Sequence, residues 1–408
     1  MEKHLHRIIY FDQNATTRVA PEVIDAMLPF MREHWGNPSS AYHFGHHVSK
    51  HVEAARAQVA VLMNAEPREV LFTSCGTESN NTAIHSALLT QPRKKHVIMS
   101  AVEHSANIKY GDFLKEHGYD VTLLPVDSDG LIDIHLLEKS IRPTTAIASI
   151  MWANNETGIV FPVEELAAIC RSKGVLFHTD AVQTPGKLHL DVKETGVDFL
   201  SLSAHKLNAP KGIGCLYVKK GIRFQPHVIG GQQERGRRGG TENVPYMIGF
   251  GKAAEMAMGR IEHENKFVRG MRDRLEREIL KRVPQSVRNG PKEPRLPNTS
   301  NIAFLGVEAE AILHALDQSG VCVSSGSACT TGSVEPSHVL TAMKIKPDRA
   351  KGSIRFSLGA DNTLDEVDRV LEILPPLIQR LRGLMPKGES EKIRGRSLKP
   401  LEKHGNGA

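Results

Sequence analysis

The chain has 408 residues, 40% of them hydrophobic and 24% charged, with a formal net charge of +6 at pH 7, which is an ordinary globular composition with room for two or more cores. No apolar run approaches the roughly 20 residues that span a bilayer. Half of the positive excess sits in the tail 386–408, six Lys or Arg against three Glu, so a membrane span is excluded and a nucleic-acid partner is not expected.

The opening MEKHLHRIIYFDQNATT enters strand-like sequence within about seven residues, with no room for a signal or transit peptide. A cytoplasmic protein is expected. Pro21 to His34 and Phe44 to Met63 read as helices, the second with Val48, Val52, Ala55, Val59 and Leu62 on one face, and GNPSS (36–40) turns between them. The pattern then becomes regular. Strand EVLFTS runs through Cys75 and Gly76 into helix TESNNTAIHSALL, and HVIMSAV through Glu103 and His104 into SANIKYGDFLKEHG. YDVTLLPV follows, AIASIMWA ends at Asn154 and Asn155, helix VEELAAICRSKG comes next, and VLFHT reaches Asp180. The stretch DFLSLSAHKLNAPKGIGCLYV reads as strand, polar break, strand, with Lys206 where the first strand stops. Such alternation predicts an α/β fold, a mostly parallel seven-stranded sheet wrapped by helices. After a long charged helix over 261–283, strands NTSNIAFLG, VCVSS and SIRFSLG and two further helices predict a smaller α+β unit.

Five cysteines, at 75, 170, 215, 322 and 329, are odd in number, widely spaced and free of any CxxC. A disulfide framework and a cysteine metal site are both disfavoured, and no metal ligands are expected. Cys170, Cys215 and Cys322 read as core thiols.

Ligands of open α/β sheets bind beyond the carboxyl ends of the strands. Gly76 and Thr77, His104, Asn155, Asp180 with Gln183, and Ser203, His205 and Lys206 all follow directly after a predicted strand. Each has a bland explanation as a turn or a cap, but five polar clusters along one sheet edge make a site. A pyridine aldehyde phosphate needs a lysine for its aldehyde, a carboxylate for its ring nitrogen, a flat partner for its ring and helix N-terminal amides for its phosphate. Lys206, Asp180, His104 and the Gly76–Thr77 helix start meet these needs, and a lysine whose charge burial disfavours is the nucleophile such chemistry uses.

Cys329 lies in GSACTTGS, among small residues that are poor at packing and carry high entropy. The contour from Gly326 to Pro336 is about 33 Å, so a thiol near its middle reaches on the order of 15 Å. A mobile, exposed thiol is partly thiolate and nucleophilic. Gly230 to Asn243, with five glycines and Arg235, Arg237 and Arg238, reads as an anion-binding loop because no aromatic residue interleaves with its arginines. Arg355 is a candidate for bidentate capture of a substrate carboxylate.

Ten motifs in order, DQNATT (12–17), GNPSS, FTSCGTESNN (72–81), the EH at 103–104, WANNETG (152–158), FHTDAVQ (177–183), SAHKLNAPKGIG (203–214), GGQQERGRRGGTEN (230–243), SSGSACTTGS (324–333) and SIRFSLG (353–359), resemble the pyridoxal-phosphate-dependent cysteine desulfurases. The fit is nearest the nitrogen-fixation type and covers roughly 10–384. The resemblance implies a fold-type I homodimer with a large cofactor domain over 16–262 and a small domain made of 1–15 and 263–385 that carries the Cys329 loop; the sequence after Met385, poor in apolar residues and without periodicity, reads as a flexible basic tail, 386–408. The resemblance further implies that Lys206 holds pyridoxal 5'-phosphate covalently, His104 stacks on its ring and moves protons, and Asp180 pairs with the ring nitrogen. Asn155 and Gln183 would lie near the ring hydroxyl. Gly76, Thr77, Ser203, His205 and Thr241 from the partner subunit would hold the phosphate. Arg355, with Asn155 nearby, would bind the carboxylate of L-cysteine. Cys329 would take the sulfur as a persulfide, release L-alanine and pass sulfur to an iron–sulfur scaffold or another acceptor protein. Gln13, Ala204 and the tail depart from the family's usual pattern. The alternatives are a selenocysteine lyase or another pyridoxal-phosphate lyase or transaminase, and a sulfur-delivery protein without turnover.

Overall fold

The computed structural model of the chain describes residues 8–325 and 336–384; Cys329 and the tail lie outside them. The first element among the described residues is β1 (Ile9–Tyr10). The central sheet is made of β2 (Val70–Thr73), β3 (His96–Ser100), β4 (Asp120–Leu124), β5 (Thr145–Ser149), β6 (Leu176–Asp180), β7 (Phe199–Ser203) and β8 (Gly214–Val218). Their order across the sheet is β2-β8-β7-β6-β5-β3-β4. Only β8 runs against its neighbours in this sheet, so the sheet is mostly parallel, as its apolar strands and intervening helices predict. All residues of β3, β5, β7 and β8 are buried, which is the burial of strands covered by helices on both faces.

Register sets the site. Asp180 stands level with Ser201, so β7 continues two residues beyond β6 before Ser203 meets Gly214 on β8. A short 3-10 turn, Ala204–Lys206, then swings the chain off the sheet edge. Beside it the helix Gly76–Thr90 starts with a glycine because a Cβ there would come within 2.9 Å of Val182 Cγ2.

Beyond the central sheet lie β9 (Ser286–Arg288), β10 (Thr299–Phe304), β11 (Val321–Cys322), β12 (Ser324–Ser325) and β13 (Ser353–Ser357). Four of them form an antiparallel sheet in the order β12-β13-β10-β9, while β1 pairs in parallel with β11. One hydrophobic cluster joins Ile9 and Phe11 at the start of the chain to Leu275, Ile302, Phe356 and Leu374. Two others pack on the central sheet. Among the described residues no helix is long and apolar enough to cross a membrane.

The elements that differ from expectation include three that shape the frame of the site. The single helix expected over 261–283 is three segments, Ile261–His263, a π-helical turn Glu264–Val268, and Arg269–Arg282. VCVSS is two short strands, because its halves pair with different partners, β1 and β13. A helix over Val244–Met258 has no counterpart in the sequence reading. It packs so closely on the two N-terminal helices that a Cβ at Gly249 would meet Met27 Sδ at 2.6 Å and one at Gly251 would meet Ala55 Cα at 2.7 Å.

Candidate active site

The strand ends and the first residues of the chain meet around Lys206. Its Nζ donates to the carbonyls of Asn14 (2.6 Å) and Ala15 (2.7 Å). Burial pushes the amine down to about 7, helped by the positive charges of Arg355 and Lys187 and opposed by Asp12 and Asp180. Near neutral pH a large share of Lys206 is therefore the uncharged, nucleophilic form.

Asp180, 6% exposed, ends β6. Its Oδ2 accepts from Asn80 Nδ2 (2.7 Å) and its Oδ1 from the amide of Val182 (3.0 Å). Gln183 is anchored by Nε2 on the Asn14 carbonyl (3.0 Å), and its Oε1 is buried with no hydrogen-bond partner. Asn80 Oδ1 is in the same condition. Buried acceptors left like this are rare because each costs the desolvation of a polar atom.

His104 caps the helix Ser105–Glu116, its Nδ1 accepting from the amide of Ala106 (3.1 Å). That bond assigns Nδ1 as the acceptor, so in the neutral ring the proton sits on Nε2. His205 pairs through Nδ1 with Thr16 Oγ1 (3.1 Å), and burial, then Lys206, Lys211 and His104, push it down to about 4. It is neutral under physiological conditions. Ser203, 3% exposed, lies against Gly76, and the first amides of the Gly76 helix have no intrahelical acceptor. A helix start of this kind, flanked by Ser203 and His205, is suited to an anion.

Arg355 is 2% exposed and already engaged: Nη2 pairs with Asp12 Oδ1 (2.7 Å) and Nη1 donates to the Asn155 carbonyl (3.0 Å), while Nε is buried without a partner. Sequence reasoning did not foresee Asp12 in this position. It also missed Asn14, which is 1% exposed and ties the site together. Asn14 Nδ2 donates to the Asn155 carbonyl (3.1 Å) and to Thr299 Oγ1 (2.8 Å), its Oδ1 accepts from Asn298 Nδ2 (3.0 Å), and its amide donates to Ser357 Oγ (3.0 Å). The only advance signal was its place in DQNATT. Of the departures in sequence, Gln13 packs over Gly359 and Ala204 is fully buried in the turn before Lys206.

The structure thus brings Gly76, Asp180, Gln183, Ser203, His205, Lys206, Asn155 and Arg355 to one edge. Thr77 and Thr241 are exposed, Thr241 on the arginine-rich loop. The anion-binding reading of that loop needs correction as far as its arginines go, since they have protein partners. Arg235 pairs with Glu53 (2.8 Å) and Arg238 with Glu78 through two bonds (2.9 and 3.2 Å), and Arg237 Nη2 donates to the Val70 carbonyl (3.3 Å). Glu234 in the same loop takes both amino groups of the buried Arg56 (2.7 Å each). The core reading holds for Cys170, whose thiol burial pushes up to about 12, and for Cys215, pushed still higher, whereas Cys322 is only half-buried.

The aminotransferase class-V family model matches residues 9–370. A cysteine desulfurase of Azotobacter vinelandii, NifS, is 50% identical over 379 residues, 93% of this chain and 94% of that protein. Among solved structures, a NifS-like protein superposes with a TM-score of 0.87 at 37% identity, covering 92% of this chain and all of the other. SspA, solved in complex with cysteine, superposes with a TM-score of 0.77 at 34% identity over 87% of this chain and all of the other. The chain belongs to the aminotransferase class-V family of pyridoxal-phosphate-dependent enzymes and has its α/β fold.

Proposed function

We propose that this chain is a cysteine desulfurase that converts L-cysteine to L-alanine and moves the sulfur to a thiol of its own. One observation carries the reading of the site: a half-buried lysine, whose amine burial pushes down to about 7, stands at a sheet edge near the buried carboxylate of Asp180. The resident groups suit pyridoxal 5'-phosphate. Gln183 Oε1 and Asn80 Oδ1 are buried acceptors awaiting a donor, and Arg355 Nε is a buried donor awaiting an acceptor.

Lys206 would carry the cofactor through Nζ, and Asp180 would keep a proton on the ring nitrogen. Gly76, Thr77, Ser203 and His205 would hold the phosphate, with Thr241 from a second copy in a homodimer. Asn155 and Gln183 would border the ring hydroxyl, and His104 would lie on the ring face. When bound, the cofactor supplies a ring that withdraws electrons from the carbon bearing the substrate amine. Lys206, freed as a neutral amine, takes and returns the proton at that carbon. His104 exchanges protons at Nε2 because its Nδ1 is occupied by Ala106. Arg355, held flat by Asp12 and Asn155, orients the substrate carboxylate. Cys329, outside the described residues, would attack the substrate sulfur: its thiolate forms an S–S bond as the substrate C–S bond breaks, the bonding pair stays on the substrate carbon, which takes up a proton, and one persulfide is left on Cys329 for each alanine released.

The same reading divides the chain into 16–262 and a smaller domain of 1–15 with 263–385, supported by the cluster that unites Phe11 with Phe356. It puts the enzyme in the cytoplasm, where a reactive thiol stays reduced, with an iron–sulfur scaffold or another acceptor protein receiving the sulfur. The test is mass spectrometry of the Cys329 peptide after brief exposure to L-cysteine, together with alanine release. One added sulfur on that peptide and one alanine per sulfur are expected, and Lys206→Ala is expected to lose alanine release by at least about 10³-fold. A Cys329→Ala variant with full sulfide output would remove the persulfide assignment.

A further inference from the structure

A buried polar layer lies one step beneath the strand ends that carry the site. Glu103, fully buried, follows the turn after β3 and immediately precedes His104. Its Oε1 accepts from Ser100 Oγ (2.6 Å) and from the Met151 amide (2.8 Å), and its Oε2 accepts from Asn107 Nδ2 (2.9 Å). Its backbone carbonyl accepts from His338 Nε2 (2.8 Å). A carboxyl group taken wholly out of water needs such donors around it, and the chain leading to His104 is built around this one.

The layer continues across the sheet. Asn107 Nδ2 has two hydrogens, one for Glu103 and one for Ser149 Oγ (3.4 Å). Ser149 Oγ pairs with His178 Nδ1 (2.7 Å), and His178 Nε2 pairs with Ser201 Oγ (2.9 Å). Asn107, Ser149, His178 and Ser201 are each 0% exposed. Of the side-chain nitrogens and oxygens of these five residues, Asn107 Oδ1 alone is buried without a partner.

Register shows what stands on this layer. Ser149 is level with His178, and Ser201 with Asp180. Side chains two residues apart on a strand share a face, so His178 lies beneath Asp180 on β6 and Ser201 beneath Ser203 on β7. The hydrogen-bonded chain thus runs from the residue before His104, across β5, to the residues beneath Asp180 and Ser203. An apolar layer would hold these strands together as well or better, because buried polar groups add little net stability. What a connected polar layer adds is a fixed geometry, since each link has a preferred length and direction.

We propose that Glu103, Ser149 and His178 are positioning residues that hold His104 and Asp180 in one fixed relation and so set how pyridoxal 5'-phosphate is aligned. They act through His104 and Asp180, not on the substrate. Their role rests on the places given above to those two residues, and it is independent of which amino acid the enzyme consumes.

The test uses the full-length protein titrated with pyridoxal 5'-phosphate, reading the apparent dissociation constant and the visible circular dichroism per bound cofactor, with thermal melting of the cofactor-free protein as the control for folding. Ser149→Ala removes the central oxygen with little loss of volume and leaves Asn107 and His178 each one partner short. It is expected to weaken cofactor binding about tenfold and to change the dichroism per bound cofactor, with melting within a few degrees of wild type. Glu103→Gln keeps the volume but turns one acceptor into a donor facing other donors; it is expected to shift the same two readings, and it carries the test alone if Ser149→Ala does not fold. Wild-type affinity and wild-type dichroism in both variants, with only the melting temperature lowered, overturn the proposal and leave the layer a purely structural one. Readings that move as stated in a protein that makes no alanine from cysteine leave the positioning role standing and remove the desulfurase reading.

Discussion

The edge around Lys206 and the loop Gly230–Asn243 are both rich in polar and charged side chains; apart from Glu242, whose Oε2 is also buried without a hydrogen-bond partner, the loop pairs its charges where the edge does not. In the loop, Glu234, Arg235 and Arg238 each have a charged protein partner. At the edge, Gln183, Asn80 and Arg355 each keep a buried polar atom without one. Paired charges fasten one part of the fold to another, whereas buried unpaired groups mark where something else is to bind. Residue type alone would have given the three arginines of the loop the functional reading; pairing reverses it.

The comparison can be broken first at its strongest joint. Glu234→Gln leaves the buried Arg56 guanidinium without its counter-charge and is expected to cost about 3–5 kcal/mol of stability in urea unfolding; a loss below about 1 kcal/mol would show that the pair does not fasten the loop. Asn14→Ala tests the other region. It removes side-chain bonds to Asn155, Thr299 and Asn298 but keeps the carbonyl that Lys206 uses, and a loss of about 1–3 kcal/mol in kcat/KM is expected. An unchanged kcat/KM would return Asn14 to a purely local role.

His178 offers a test by pH. It lies fully buried under the edge, between Ser149 and Ser201, and burial pushes it down to about 3. Because the folded value lies below the unfolded one, its contribution is complete above about 6.5 and is lost as pH falls toward the folded value. The stability difference between wild type and His178→Asn should shrink by about 1.4 kcal/mol per pH unit below that point, and a difference independent of pH would refute the assignment. Smallest of all is Arg235→Gln, which breaks an exposed pair with Glu53; no more than about 1 kcal/mol is expected in the same unfolding experiment.

How far the sequence could be read follows from what kind of interaction each element depends on. The seven strands of the central sheet were legible because each is a short apolar run closed by polar residues, and the rule of strand carboxyl ends then collected Asp180, Ser203 and Lys206 from separate segments. The helix Val244–Met258 was not, because its packing relies on the absence of side chains at Gly249 and Gly251, and absence leaves no periodic signal. Nor was the π-helical turn at Glu264: the charged pattern runs on without a break, and the widening is set by contact with Lys187. Asn14 was hidden for a third reason. Its partners lie as far as 343 residues away, and no local pattern reports them.

That distance also sets a timetable. The carbonyls that receive Lys206 belong to Asn14 and Ala15, 192 and 191 residues before it, but Asn14 is held by Ser357 and Asn298, and neighbouring Asp12 by Arg355. A nascent chain leaving the ribosome has already exposed Lys206 long before those anchors exist, since domains form as their last strands emerge. The surroundings of Lys206 are therefore completed late, and a polypeptide stopped before β13 would carry every strand of the central sheet and still lack a settled place for its lysine.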